Sequence, residues 1–308
     1  MVDMNLEYLP ENNYTKLDVE VDLNKAMRDG TILHGKIIKC DEELQLYAQI
    51  TDDIVGIIPV EELQYTVKER REISKHDVWV HVNRMLTFKV KEIREDGTPI
   101  LSRKDAQKEC YDQLISCLEP GDVVNARVVH TTQSNALCDI GCGYKALLSK
   151  DNISIARYSK PPVRLKKIKD FRVVVQRVSR EDGLVYVSHT ELLNDWATEV
   201  AQFNEGVVTV GKVVGIKDYG VIVEISENLT GLARNIEGLK VDDMVCVLVT
   251  GINAEEMQVR LKILRIDDTP DTRRLNYHYN FKHGDHISQW MYSPENCAKK
   301  IQTHFDKI

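Results

Sequence analysis

The sequence predicts a mainly β protein made of three consecutive small barrels, joined by short helices and followed by a small α/β extension at the C-terminus. The first observation is an internal repeat. Residues 35–38 (GKII), 126–129 (ARVV) and 211–214 (GKVV) begin three segments in the same way. Similar openings at a nearly constant spacing are typical of repeated domains within one chain.

The second observation is that apolar and polar residues alternate after these openings, as in residues 44–50 and 221–225. A period of two predicts strands that bury one face. Each segment closes with another β-rich stretch, at residues 100–103, 186–189 and 260–263. Short strands, glycine turns and little helix favour the five-stranded Greek-key barrel known as the OB fold.

The third observation is a pair of helical patterns between the repeats. Apolar residues recur at every fourth position in residues 106–118 and 192–200. One apolar stripe predicts a helix that docks on a neighbouring barrel, and we expect Trp196 to lie in such a core. The predicted units are an acidic N-terminal arm (1–27), OB-fold repeat 1 (28–104), a linker helix (105–119), repeat 2 (120–188), a linker helix (189–205), repeat 3 (206–266) and a C-terminal extension (267–308).

The chain has a net charge of −7, and its charged residues are unevenly distributed along the sequence. Residues 1–23 are mostly acidic, whereas residues 157–180 are mostly basic. Because a local basic segment can contact phosphates even in an acidic protein, the charge balance excludes no nucleic-acid role. The acidic arm is either a docking segment that orders on a partner or a tail without fixed structure.

Other patterns bound the class of protein. No stretch approaches the roughly 20 apolar residues of a membrane-spanning helix, and the N-terminus lacks the pattern of a secretory signal. The seven cysteines include no Cys-x-x-Cys pair, which favours reduced thiols in a cytoplasmic protein. Phosphate-binding loops and hydrolase motifs are absent from the sequence. We therefore predict a non-enzymatic protein without cofactor, metal, membrane partner or small-molecule substrate.

The third segment carries a family resemblance. Residues 210–225 (VGKVVGIKDYGVIVEI) and 229–233 (LTGLA) resemble the S1 RNA-binding motif of bacterial ribosomal protein S1. Residues 55–59 and 101–106 resemble that family's first repeat, and residues 144–148, followed by 157–162, resemble its second. The resemblance covers roughly residues 28–266, in the order that the family uses.

The resemblance implies binding of single-stranded RNA on the barrel faces, where aromatic rings stack on bases and basic groups hold the backbone. In the third repeat Tyr219 lies at the first aromatic position, Ile222 replaces the second, and Arg234 replaces a common histidine. In the first repeat Tyr47 lies at the second aromatic position and Leu44 replaces the first. In the second repeat Ser134 and Leu137 replace both. The expected RNA-contacting residues are Tyr219, Arg234, Lys212, Lys217, Asn253, Arg260, Tyr47, Arg164, Lys166 and Lys167.

The C-terminal extension lies outside the resemblance. Its residues 276–282 alternate like a strand, and Ser293 followed by Pro294 predicts the start of a helix that runs to Phe305. The extension is either an aromatic RNA platform or a cap packed on the third barrel. The spacing of its potential zinc ligands matches no standard zinc finger. Those residues are His278, His283, His286 and Cys297.

Three functions remain open at this point. The first is binding of single-stranded RNA, in particular mRNA at the small ribosomal subunit during translation. The second is a protein-interaction module, which the missing aromatic residues and the acidic balance favour. The third is an accessory subunit that delivers RNA to a nuclease or polymerase.

Overall fold

The computed structural model describes residues 8–11, 20–67, 73–155, 165, 170–267 and 281–305. Within these residues the chain forms three closed five-stranded barrels in sequence, which confirms the predicted fold class. The first barrel contains β1 (Leu33–Cys40), β2 (Leu46–Gln49), β3 (Val55–Ile58), β4 (Met85–Ile93) and β5 (Pro99–Ser102). The second contains β6 (Val123–Thr131), β7 (Asn135–Asp139), β8 (Lys145–Ser149), β9 (Asp170–Ser179) and β10 (Leu184–Ser188). The third contains β11 (Val208–Lys217), β12 (Gly220–Ser226), β13 (Leu229–Ala233), β14 (Met244–Asn253) and β15 (Gln258–Asp267).

All three barrels have the same strand order. In the first barrel it is β1-β2-β3-β5-β4, and the barrel closes where β1 pairs with β4. The third and fifth strands of each barrel run parallel, and every other pair is antiparallel. The first and fourth strands each carry a register shift, which marks a bulge and bends the strand around the barrel.

The alternating pattern puts one apolar face of each strand into its barrel. In β12, Val221 and Val223 are fully buried inside the third barrel, whereas Ile222 between them points outward and is half-buried. Gly231 on β13 also points inward, because a Cβ atom there would lie 2.5 Å from the Leu261 side chain. The outward positions are therefore left for the surface of the barrel.

Short α-helices connect or cap these barrels, among them α1 (Leu23–Asp29), α2 (Lys75–Trp79), α3 (Arg103–Gln113) and α4 (Trp196–Val200). Helix α3 begins after Ser102, whose hydroxyl accepts the N–H of Asp105 at 2.9 Å. Its Cys110 and the following Leu114 pack in the core of the second barrel. None of the helices among the described residues combines the length and the apolar character needed to cross a membrane.

The second linker is less helical than expected. A 3₁₀ turn at Thr190–Leu192 ends before α4, because Leu193 is extended and Asp195 starts the new helix by accepting the N–H of Thr198. Trp196 is 3% exposed and packs in the core of the third barrel, as predicted.

The predicted helix from Ser293 to Phe305 is wrong. These residues form an irregular segment followed by β17 (Gln302–His304), which pairs with β16 (Gln289–Met291). The Ser293 hydroxyl accepts the N–H of Ile301 at 2.7 Å, so it closes the loop between two strands instead of capping a helix. Of the strand expected at 276–282, residues 276–280 lie outside the described residues, and residues 281 and 282 are not in a strand.

The extension packs on two barrels, not on the third alone. The backbone N–H of Val123, at the start of β6, donates to Asp285 at 2.9 Å. On the third barrel, the Tyr292 hydroxyl donates to the carbonyl of Asn228 at 2.6 Å. His283 accepts a backbone N–H from the second barrel, and His286 lies 2.8 Å from Asp122.

A buried ion pair joins the first and second barrels. The Glu11 carboxylate, 5% exposed as a residue, accepts two bonds from the Arg103 guanidinium at 2.8 and 2.9 Å. It also accepts the backbone N–H and the hydroxyl of Thr87 in the first barrel. The backbone N–H of Glu11 donates to Asp139 in the second barrel at 2.6 Å. Residues 8–11 therefore fasten the two barrels together at this point.

Candidate nucleic-acid interface

The strand registers place one residue from each strand in a line across the outer face of every barrel. We call such a line the outer row. In the third barrel each member pairs with the next across β11, β12, β13, β15 and β14. This outer row consists of Gly215, Ile222, Leu232, Arg260 and Gly251.

The third outer row is flat at both ends and apolar in the middle. Gly215 and Gly251 lie at the bulges of β11 and β14 and carry no side chain. Between them lie Ile222, Leu232 (42% exposed) and the exposed Arg260. A shallow apolar strip that ends in a guanidinium suits a planar base followed by a phosphate.

Tyr219 lies beside this row, in the two-residue turn between β11 and β12. Its side chain is 72% exposed, the highest exposure among the large apolar and aromatic residues that the structure describes. The next residue, Gly220, has φ +148° and backs onto β13, since a Cβ there would lie 3.1 Å from Leu232. The turn therefore leaves the Tyr219 ring in solvent at the end of the hairpin that carries Ile222.

The other residues predicted for the third barrel divide into two groups. Arg234 and Lys217 are exposed at the ends of β13 and β11, on either side of the Tyr219 turn. Lys212 instead lies 3.4 Å from the Asp242 carboxylate, and Asn253 accepts two backbone N–H groups within the turn after β14. The structure thus brings Tyr219, Arg234, Lys217 and Arg260 to one face and gives Lys212 and Asn253 local protein partners.

The first barrel uses its aromatic residue differently. Its outer row consists of Lys39, Tyr47, Ile57, Ile100 and Glu92. The Lys39 ammonium lies 4.0 Å from the centre of the Tyr47 ring, and the Tyr47 hydroxyl donates to Asp41 at 3.1 Å. This hydrogen bond raises the pKa of Tyr47 above its ordinary value. Tyr47 is therefore partly engaged by its own barrel.

The second barrel has an aromatic residue that the sequence comparison missed. Its outer row consists of His130, Leu137, Leu147, Tyr186 and Arg177. The Arg177 guanidinium lies 4.3 Å from the centre of the Tyr186 ring. Tyr186 comes from the fifth strand, whereas the two aromatic positions of the motif, at Ser134 and Leu137, lie in the first turn and the second strand. Strand alternation through residues 184–188 is the signal that could have identified it.

Three predicted contacts, Arg164, Lys166 and Lys167, lie outside the described residues. Strand β9 belongs to the same basic segment, residues 157–180. There Arg172 donates to the carbonyl of Phe281 in the C-terminal extension at 2.7 Å, and Arg177 holds Tyr186. One of these two cations therefore serves the packing of the extension, and the other lies on the outer row.

Comparisons with known proteins find similarity to one domain family and to ribosomal proteins. Residues 118–189, which include all strands of the second barrel, match the family model described as the S1 RNA binding domain. The chain is 28% identical over 245 residues to the small ribosomal subunit protein bS1 of Staphylococcus aureus, covering 73% of this chain. It is 25% identical over 194 residues to bS1 of Rickettsia conorii, covering 58% of this chain and 34% of that protein. These matches confirm the resemblance to the S1 family.

Two further facts describe the extent of the similarity. The chain spans 62% of the length of the Staphylococcus aureus relative. Among solved structures, a multidomain protein with nucleic acid binding domains from Streptococcus pneumoniae is 14% identical, with a TM-score of 0.24. That match covers 76% of this chain and 73% of the other.

Proposed function

We propose that this chain, whose second barrel is an S1 domain, is a non-enzymatic protein that binds single-stranded RNA and acts on mRNA at the small ribosomal subunit. The observation that carries the proposal is the exposed Tyr219 ring beside the apolar strip and guanidinium of the third outer row. Binding by stacking tolerates any base, because every base has a π face. The bS1 relatives are small ribosomal subunit proteins, which supports the ribosomal setting.

The three barrels contribute unequally to this binding. The third offers an exposed tyrosine, the second offers Tyr186 under Arg177, and the first offers a tyrosine already held by Lys39 and Asp41. We expect each barrel alone to bind weakly. Because the barrels lie on one chain, a strand bound to one barrel is held at high effective concentration near the next.

Protein binding is a second candidate, and one surface of the third barrel favours it. Val208, Val210 and Leu264 are 54%, 40% and 48% exposed. They lie on β11 and β15, the two strands that pair with β14, and none of them belongs to the outer row. Exposed apolar residues grouped on a sheet are typical of protein contacts.

The test is fluorescence anisotropy of a labelled single-stranded RNA with the full chain, across a salt series and with duplex DNA as competitor. Tyr219→Ala should weaken binding roughly 5- to 150-fold, the equivalent of about 1–3 kcal/mol for one stacked base. Tyr219→Phe should retain most of the affinity because the ring remains. Trp79→Ala is the matched control, because Trp79 is an aromatic residue 55% exposed on α2 outside the outer rows.

Affinity that falls with salt and resists duplex competition supports the proposal. Equal affinity of the wild-type and Tyr219→Ala proteins removes Tyr219 from the site. If the full chain binds no single-stranded RNA even at low salt, protein partners that survive nuclease treatment and high salt would support the second candidate.

A further inference from the structure

A cleft of about 300 Å³ lies between the first and second barrels. Its wall on the first barrel is the loop with Tyr65 and Thr66, which follows the 3₁₀ turn at Val60–Glu62. Its wall on the second barrel includes Leu137, Leu147 and Tyr186, which are consecutive members of that barrel's outer row. The cleft is therefore continuous with the face that the proposed function assigns to RNA.

The side of the cleft formed by the first barrel is held in place by specific contacts. The backbone N–H of Tyr65 donates to the Gln107 side chain on α3 at 2.9 Å. The loop also approaches the β9–β10 turn closely, since a Cβ at Gly183 would lie 2.5 Å from Val67. In the same turn, the carbonyl of Gly183 accepts the Tyr144 hydroxyl at 2.6 Å. Both walls of the cleft are thus fixed before any ligand arrives, which lowers the entropic cost of binding.

The cleft combines a flat apolar wall with a cation. Leu137, Leu147 and the Tyr186 ring offer a surface for a planar group, and the Arg177 guanidinium fixes that ring from outside the cleft. Lys145, the first residue of β8, also lines the cleft and is exposed. Among the described residues, the structure gives the Lys145 ammonium no ion pair, whereas the neighbouring Arg103 is paired with Glu11. Asp182, whose carboxylate accepts the Ser179 hydroxyl at 3.3 Å, also lines the cleft.

We infer that this cleft is a binding site for one nucleotide, with the base against Leu137, Leu147 and Tyr186 and the phosphate at Lys145. The volume lies at the small end of the range for ligand pockets, which suits a single nucleotide. The inference rests on the proposed function when the nucleotide is part of an RNA strand. The same chemistry would also take a free nucleoside monophosphate, so the experiment separates the two sources.

The charges around Lys145 act in opposite directions. Desolvation by surrounding protein atoms and the positive charge of Arg103 lower the pKa of the Lys145 ammonium, whereas the carboxylates of Glu11, Asp77 and Asp139 raise it. A phosphate placed beside it would favour the charged form and supply a partner.

The experiment measures binding of the full chain to a labelled single-stranded RNA and, separately, to the four nucleoside monophosphates. Lys145→Gln removes the cation, and Thr66→Trp fills the cleft from the first barrel without changing the outer row of the second. Lys150→Gln is the matched control, because Lys150 lies just beyond the other end of β8 and does not line the cleft. Thermal unfolding of each variant shows whether its fold is retained.

Lys145→Gln should weaken RNA binding about tenfold, as expected for loss of a charge-assisted hydrogen bond. It should also reduce the slope of log affinity against log salt by about 0.7, the value for one phosphate contact on a single strand. Thr66→Trp should weaken binding similarly, and Lys150→Gln should change the affinity less than twofold. Ultraviolet cross-linking of 4-thiouridine RNA should label a peptide that contains Tyr65 or Tyr186, and Thr66→Trp should abolish that label.

The outcomes distinguish the inference from the proposed function. If Tyr219→Ala weakens RNA binding but Lys145→Gln and Thr66→Trp do not, the function stands and the cleft site is overturned. If the full chain binds no RNA, the proposed function fails, and binding of the nucleoside monophosphates then tests whether the cleft is a nucleotide site. Saturable binding of a monophosphate that Thr66→Trp abolishes supports the cleft as a site for a free nucleotide, and absence of such binding overturns it.

Discussion

The ion pair between Glu11 and Arg103 is where a single substitution should have the largest effect on stability. The Arg103 side chain is 3% exposed and donates to both oxygens of the Glu11 carboxylate and to the carbonyl of Leu63. Arg103→Met keeps the length of the side chain and removes its charge. Among the described residues, the Glu11 carboxylate would then retain the two donors of Thr87, with the Asp139 carboxylate nearby.

Removal of one partner from a buried ion pair leaves an uncompensated charge and costs about 3–5 kcal/mol. The loss of the bond from Arg103 to Leu63 acts in the same direction. We therefore expect Arg103→Met to lower the free energy of unfolding by about 4 kcal/mol. Glu11→Leu combined with Arg103→Met should recover most of this loss, since replacement of both charges by apolar groups is often nearly neutral.

The measurement is urea unfolding of the wild-type protein, the two single variants and the double variant, followed by far-ultraviolet circular dichroism. Amide hydrogen exchange at Thr87 and Gly143 shows whether the loss is confined to the junction. A coupling energy of at least 2 kcal/mol between the two positions is expected. A loss below 1 kcal/mol in Arg103→Met alone would show that water or other groups compensate the Glu11 charge, which would refute the reasoning.

Two further predictions concern the same junction. Gly143→Ala should cost about 1–3 kcal/mol more than Gly97→Ala in urea unfolding. Both glycines have positive φ (+76° and +84°), but only at Gly143 would a Cβ overlap Arg103 and lie 2.5 Å from the Glu11 carboxylate. Second, burial and the Glu11 charge raise the pKa of Asp139 to about 7, so the folded protein keeps a proton that the unfolded chain releases above about pH 4. The free energy of unfolding should therefore fall as the pH rises from about 4 to about 7. Urea titrations at a series of pH values measure this dependence, and Asp139→Asn should flatten it. A flat profile in the wild-type protein would contradict the raised pKa.

Much of the fold could be predicted from the chain, because each barrel is specified by local signals. Alternating residues such as Val221 and Val223 fill the interior. The two-residue turn at Asp218 and Tyr219 depends on Gly220, which follows it and has a positive φ. The exposure of Tyr219 agrees with this local pattern, since a two-residue turn leaves its side chains outside the barrel.

The C-terminal helix shows where local signals fail. Ser293 followed by Pro294 has the composition of a helix start, yet Ser293 binds Ile301 and the segment lies on two barrels. A capping pattern has little weight when a neighbouring surface offers backbone partners and apolar contacts to the same residues. Tertiary contacts with Asn228 and Val123 therefore decided the structure of this segment.

The repeats, the barrel cores and the turn that carries Tyr219 follow from local sequence patterns, because these features depend on residues a few positions apart. The three-dimensional fold placed Tyr186 beside Leu147, brought the Lys39 ammonium to 4.0 Å from the centre of the Tyr47 ring, and put Lys145 in a cleft between two barrels. Those arrangements depend on strand register and on contacts between distant parts of the chain. Side chains alternate between the two faces of a strand, so a shift of one residue in register would have put each of them on the other face.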